Sequence, residues 1–124
     1  MDAPDGIVSE SEEFDDVVVL GLTGELDLST APSLRERLLA IDEAGKSIVL
    51  DLAGVSFADS TTLGVFVAAH KRLAEHGRRL ALANPAPGIR QILEITNLDG
   101  VIAVCGTRSD AIAQVRKPWA DAGG

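Results

Sequence analysis

Tyrosine is absent from this sequence, and all aromatic residues together make up only 3% of its 124 positions. A core must therefore come from aliphatic side chains, and a 46% hydrophobic fraction supplies enough of them for one domain. Cysteine occurs once, as Cys105, which excludes an internal disulfide; its place in the apolar run Val101-Ile102-Ala103-Val104-Cys105 predicts a buried, inert thiol. The two histidines, His70 and His76, give no metal-ligand spacing with that cysteine, so neither a metal nor another cofactor is expected. Basic residues are few: 11 Lys and Arg against 19 Asp and Glu leave a net charge of -8 and a pI near 4.6. Nucleic-acid affinity comes largely from basic residues releasing counterions, so this balance argues for a protein partner and no nucleic acid. No apolar run approaches the roughly 18 to 20 residues of a membrane span. The acidic start, Met1-Asp2-Ala3-Pro4-Asp5-Gly6, does not read as a signal peptide. The expectation is a soluble cytoplasmic protein that does not engage membrane.

The pattern along the chain places flexible ends at residues 1–6 and 118–124 around one domain at 7–117. Ile7-Val8 and Val17 to Leu22 read as two strands of a hairpin, with the acids Glu10, Glu12, Glu13, Asp15 and Asp16 on its exposed parts. Ser29 or Thr30 can cap a helix that starts near Pro32, and Leu34, Leu38, Leu39 and Ile41 recur at helical spacing until Gly45. Ser47 to Leu52 reads as a strand covered by helices, followed by a turn at Ala53 to Ala58. A second helix runs from about Ser60 to His76, with Leu63, Phe66, Val67, His70 and Ala74 on one stripe. Arg79 to Ala83 forms a strand, Ile89 to Ile95 a short helix, Val101 to Val104 the last strand and Asp110 to Val115 a final helix. This order predicts an α/β fold: a mixed, largely parallel sheet with an N-terminal hairpin and about four helices packed on it.

Chemistry concentrates in Val55-Ser56-Phe57-Ala58-Asp59-Ser60-Thr61-Thr62-Leu63-Gly64-Val65-Phe66. It is a strand-to-helix turn in which Asp59 or Ser60 can cap, leaving a hydroxyl beside unsatisfied backbone N–H groups. Such a terminus favours negative charge by about 0.3 to 1 kcal/mol, so a phosphate on Ser60 would be tolerated there. The same residues equally describe a well-capped helix start with no further role.

The segment Phe57 to Val65 resembles the Asp-Ser-(Ser/Thr)-Gly-Leu-Gly signature of bacterial anti-sigma factor antagonists, which are STAS domains. Upstream, Leu22-Thr23-Gly24-Glu25-Leu26-Asp27 is similar to that family's Gly-Glu-(Leu/Ile)-Asp turn. The resemblance runs from about Val17 to the last helix. It implies a non-enzymatic switch that binds an anti-sigma factor with serine kinase activity, so releasing a sigma factor, and that a serine phosphatase resets. Ser60 falls at the phosphorylated position, and Asp27, Asp59, Ser60, Thr61, Thr62 and Gly64 at the partner-binding positions. Thr62 departs from the family, which has Gly there, and would place bulk where a partner's backbone approaches. A STAS module that binds partners without being phosphorylated is the alternative.

Other chemistries fit less well. A serine hydrolase needs a base within reach of Ser60 and a G-x-S-x-G elbow; His70 lies about 15 Å along the same helix and no elbow is present. His70 reads instead as a core-edge residue and His76 as a helix C-terminal one. Asp51 follows an apolar strand as a receiver-domain acceptor would, but the acids Glu12, Glu13, Asp15 and Asp16 precede the first long strand and do not follow it. No phosphate-binding glycine loop occurs. Lys71, Arg72, Arg78 and Arg79 make a local basic cluster, read as a solvated face or a contact for acidic partner residues.

Overall fold

The computed structural model describes residues 6–119, so most of the ends expected to be flexible, 1–6 and 118–124, lies outside the described residues; within them, the Pro118 carbonyl accepts from Arg79 and the Trp119 indole donates to the Arg78 carbonyl. Five strands form one sheet in chain order: β1 (Val8–Glu13), β2 (Val17–Leu26), β3 (Ser47–Ala58), β4 (Leu80–Ala83) and β5 (Ala103–Cys105). β1 pairs antiparallel with β2 and every other pair is parallel. The helices are α1 (Ala31–Glu43), α2 (Ser60–Glu75), α3 (Pro87–Ile95) and α4 (Arg108–Val115), with a 3₁₀ turn at Leu98–Gly100. The α/β class, the largely parallel sheet, the N-terminal hairpin and the four helices are those the sequence predicts.

The period-two alternation of the strands divides two apolar layers. Val18, Leu20, Leu22, Ile48, Leu50, Leu52, Leu80 and Leu82 pack with Leu34, Leu38, Leu63, Phe66, Leu73, Ile89 and Leu93, so α1, α2 and α3 cover one face. The alternate residues Val17, Val19, Val49, Ala81 and Ala83 pack with Ala111 and Val115 of α4 on the other. Strands covered on both sides read as continuous apolar runs, which is why Val17 to Leu20 and Ile48 to Leu50 show no alternation of polarity.

Three local expectations are revised. Ala53 to Ala58 is not a turn: β2 extends to Leu26 and β3 follows it in parallel, pairing Thr23 with Gly54, Gly24 with Val55, Glu25 with Phe57 and Leu26 with Ala58. That long pair carries the following helix start beyond the body of the sheet. Cys105 is only partly buried, because β5 is a short edge strand, although burial still raises its thiol pKa. The basic cluster is not simply a solvated face. Asp42, only 3% exposed at the end of α1, receives Arg72 Nε at 2.9 Å and Arg78 Nη2 at 2.8 Å, and lies 3.0 Å from His76 Nδ1. These contacts join the C-terminal ends of α1 and α2.

Asp51, which interrupts the apolar run of β3, has an equally local explanation. Its carboxylate accepts from Arg108 Nε at 2.6 Å, Asn84 Nδ2 at 3.3 Å and the Ala53 amide at 3.0 Å, anchoring the start of α4. Arg108 also pairs with Glu10 of β1.

Candidate functional site

Ser60 is the first residue of α2 and is exposed, with Asp59 as the N-cap in extended conformation. The two oxygens of Asp59 do different work. Oδ1 accepts the Thr62 amide at 2.9 Å and so caps the helix, while Oδ2 accepts the Leu28 amide at 3.0 Å. The Asp59 amide in turn donates to the Leu26 carbonyl at 3.1 Å. One carboxylate therefore fastens the turn after β2 to the start of α2, and the two sequence motifs meet through it.

Asp27 organises the other side. Its Oδ1 accepts the Ser29 hydroxyl at 2.6 Å, the Ser29 amide at 3.0 Å and the Thr30 amide at 3.3 Å. Thr30 Oγ1 accepts the Asp27 amide at 2.9 Å. The Ser29 hydroxyl bond is the main reason the Asp27 carboxyl lies below the usual range; partial desolvation opposes it, and the Ser29 and Thr30 amides reinforce it. Asp27 is thus an anion that shapes the loop ahead of α1, whose formal N-cap, Thr30, makes no side-chain cap bond.

The remaining motif residues separate. Gly64 is exposed one helical turn beyond Ser60, with open space where a Cβ would stand, and Thr61 is half-buried. Thr62 is 0% exposed, so its methyl and hydroxyl point into the core and not toward an approaching partner. The expectation that Thr62 adds bulk at a contact surface is corrected accordingly. Its Oγ1 is buried and makes no hydrogen bond among the described residues.

Two side chains that sequence reasoning passed over belong to this surface. Leu28, between Asp27 and Ser29, is 71% exposed, and Phe57, just before the turn, is 47% exposed. Leu28 could have been found, since it is a large apolar residue inside a polar capping loop where no strand or helix periodicity calls for one. Phe57 is hidden in the sequence because Ala53 to Ala58 reads as a turn, whereas it lies in β3. Together they put apolar area beside an exposed hydroxyl and two carboxylates. Such a surface suits docking. Among the described residues there is no group of three or more His, Cys, Asp or Glu placed to hold a metal ion.

Comparison with known proteins agrees with this geometry. The STAS domain family profile matches residues 9–111. The chain is 36% identical over 87 residues to the anti-sigma-B factor antagonist of Bacillus subtilis, covering 70% of this chain and 80% of that protein. This chain belongs to the STAS-domain family of anti-sigma factor antagonists. Among solved structures, an anti-sigma factor antagonist from Mycobacterium paratuberculosis superposes with a TM-score of 0.78 at 30% identity, covering 94% of this chain and all of that one (100%). The phosphorylated form of the Bacillus cell fate determinant SpoIIAA superposes with a TM-score of 0.67 at 27% identity, covering 86% of this chain and 98% of that one. The family is regulatory and works by binding partners. Among the described residues no helix is long and apolar enough to cross a membrane.

Proposed function

We propose that this chain is an anti-sigma factor antagonist: it binds an anti-sigma factor through the Ser60 surface, frees a sigma factor, and is switched off by phosphorylation of Ser60. The observation that carries the reading is the placement of Ser60, exposed at the first position of α2, beside the Asp59 cap and flanked by exposed Leu28 and Phe57. Asp27, Asp59, Thr61 and Gly64 form the rest of the contact surface. Thr62 acts beneath it by supporting the start of the helix.

The chemistry follows from position. Phosphoserine brings about 1.5 to 2 negative charges, and the open N-terminus of α2 accommodates negative charge, so the domain stays folded. In a complex the same charge lies against a surface with two apolar anchors and the Asp59 carboxylate. Desolvating it there costs several kcal/mol, equivalent to a loss of about a hundredfold or more in affinity. The kinase is the anti-sigma factor itself or a serine kinase acting with it, and a serine phosphatase restores binding. The chain is substrate and ligand in this cycle and acts in the cytoplasm; the Asp59 carboxylate beside Ser60 is engaged by the Thr62 and Leu28 amides, which supports a structural role for it and a chain without turnover of its own. The unphosphorylated scaffold reading rested on Thr62 as a surface residue, and its burial removes that support.

The test is to incubate the protein and its Ser60→Ala variant with ATP and the cognate serine kinase, and to map phosphate by mass spectrometry. Incorporation at Ser60, abolished in the variant, is expected. Incorporation only at Thr61 or Thr62, or none at all, contradicts the assignment.

A further inference from the structure

At the end of the sheet opposite Ser60, where β4 and β5 begin, a cavity of about 140 Å³ lies between α2, α4 and the chain beyond α4. Its polar wall is made by His70, Arg79 and Gln114, and its apolar wall includes Leu80, Val115 and the indole of Trp119. His70 Nδ1 is buried and makes no hydrogen bond among the described residues. A buried ring nitrogen without a partner is costly, so its presence asks for an explanation.

The surroundings narrow what could supply the partner. Arg79 Nε donates to the Lys117 carbonyl at 2.9 Å and Nη2 to the Pro118 carbonyl at 3.2 Å, which leaves Nη1 to serve a ligand. Trp119 lies over the Arg79 guanidinium, 3.9 Å from ring centroid to Cζ, and its Nε1 donates to the Arg78 carbonyl at 3.0 Å. The indole also stands 6.3 Å from the His70 ring, centroid to centroid. Trp119 is thus pinned as a lid over a space with one cation, one amide and one unpaired imidazole. Burial, reinforced by the Arg79 and Lys71 charges, lowers the His70 pKa and favours the neutral imidazole, whose Nδ1–H tautomer has a hydrogen to offer a group in the cavity.

We propose that this cavity binds a short-chain organic carboxylate, its two oxygens received by Arg79, His70 Nδ1 and Gln114 and its alkyl end set against Leu80, Val115 and Trp119. The volume is well below the roughly 300 Å³ at which sites for drug-sized ligands begin, which limits the ligand to a few heavy atoms. One charged oxygen pair with a small apolar remainder matches one guanidinium, two neutral donors and an aliphatic wall. The site is independent of the Ser60 reading, since it lies at the other end of the strands.

The sequence supplies a reporter. Trp119 is the only tryptophan and tyrosine is absent, so intrinsic emission comes from the lid alone. The full chain is titrated with sodium acetate and with sodium butyrate at constant ionic strength, with sodium chloride and sodium phosphate as controls. A saturable change in Trp119 emission with a carboxylate is expected, together with a raised melting temperature. His70→Phe and Gln114→Leu should each raise the dissociation constant at least tenfold, and Ser60→Ala should leave it unchanged. If His70→Phe fails to fold, Gln114→Leu carries the test. Absence of a saturable change, an equal response to chloride or phosphate, or unaltered affinity in the folded variants overturns the proposal.

Discussion

The Asp59 carboxylate holds the Leu28 amide at 3.0 Å, and through that contact the turn ahead of α1 is tied to the start of α2. The same carboxylate caps α2 through the Thr62 amide. Replacing it should therefore do more than remove a cap. Asp59→Ala is expected to destabilise the domain by about 1 to 2 kcal/mol in urea unfolding, the upper part of the range for caps. Amide exchange at Leu28 should also accelerate in the variant. Unchanged exchange at Leu28 would show that Asp59 does not hold the loop.

Leu28 and Phe57 are exposed apolar residues with little structural duty. Leu28→Ser should leave the melting temperature within a few degrees of the parent, because most of that side chain is already in water, and Phe57→Ser, whose ring is about half covered, should lower it by somewhat more. As interface anchors, each should weaken binding to the anti-sigma factor at least tenfold, equivalent to about 1.4 kcal/mol. Calorimetry showing wild-type affinity in both variants would remove them from the interface.

Thr62 should matter to stability and not to recognition. Its buried, unpaired hydroxyl is an unfavourable term that Thr62→Val removes at nearly constant shape, so this variant should gain about 1 kcal/mol. Thr62→Gly, which restores the residue common in the family, should lose about 1 kcal/mol or more through helix propensity and lost packing. Anti-sigma binding should be close to wild type in both. A large affinity change in Thr62→Val would place the residue at the interface after all.

Asp42 predicts the shape of acid denaturation. Burial alone would raise its pKa, but hydrogen bonds from His76, Arg78 and Arg72 outweigh that and leave it below the ordinary carboxylate value. A carboxyl with a depressed folded-state pKa contributes stability that is fully present above its unfolded value, about 3.9, and is lost as pH falls through the folded value. Asp42→Asn should thus flatten the stability profile below about pH 4, and at pH 7 should cost about 1 to 3 kcal/mol, because Arg72 and His76 are partly exposed and stay solvated when their partner is lost. A variant whose acid limb matches the parent would show that other carboxyls dominate.

These residues also show what the sequence could and could not disclose. The helix starts at Ala31 and Ser60, the parallel alternation and the placement of Ser60 follow from local signals: Pro32, the Asp59 cap and the apolar strands. The contact of the Leu28 amide with Asp59 was not legible by spacing, because it depends on the parallel extension of β2 and β3 through residues whose polar, glycine-containing run imitates a turn. The Asp42 cluster was equally hidden. Its members lie about 30 residues apart in the chain, and a surface-looking Arg72-His76-Arg78 pattern gives no sign of the buried acid it serves. The burial of Thr62 could have been suspected from helical spacing with Val65, Phe66 and Leu73.

The central claim is that a phosphate on Ser60 ends binding while leaving the fold intact. The most direct measurement is calorimetric titration of the cognate anti-sigma factor with the unmodified protein and with the fully Ser60-phosphorylated protein, together with a thermal melt of each. Tight binding of the unmodified form, a loss of at least about a hundredfold on phosphorylation and closely similar melting temperatures are predicted. Equal affinity of the two forms would contradict the switch, and a collapse in melting temperature would show that phosphate acts by unfolding the domain and not at the interface.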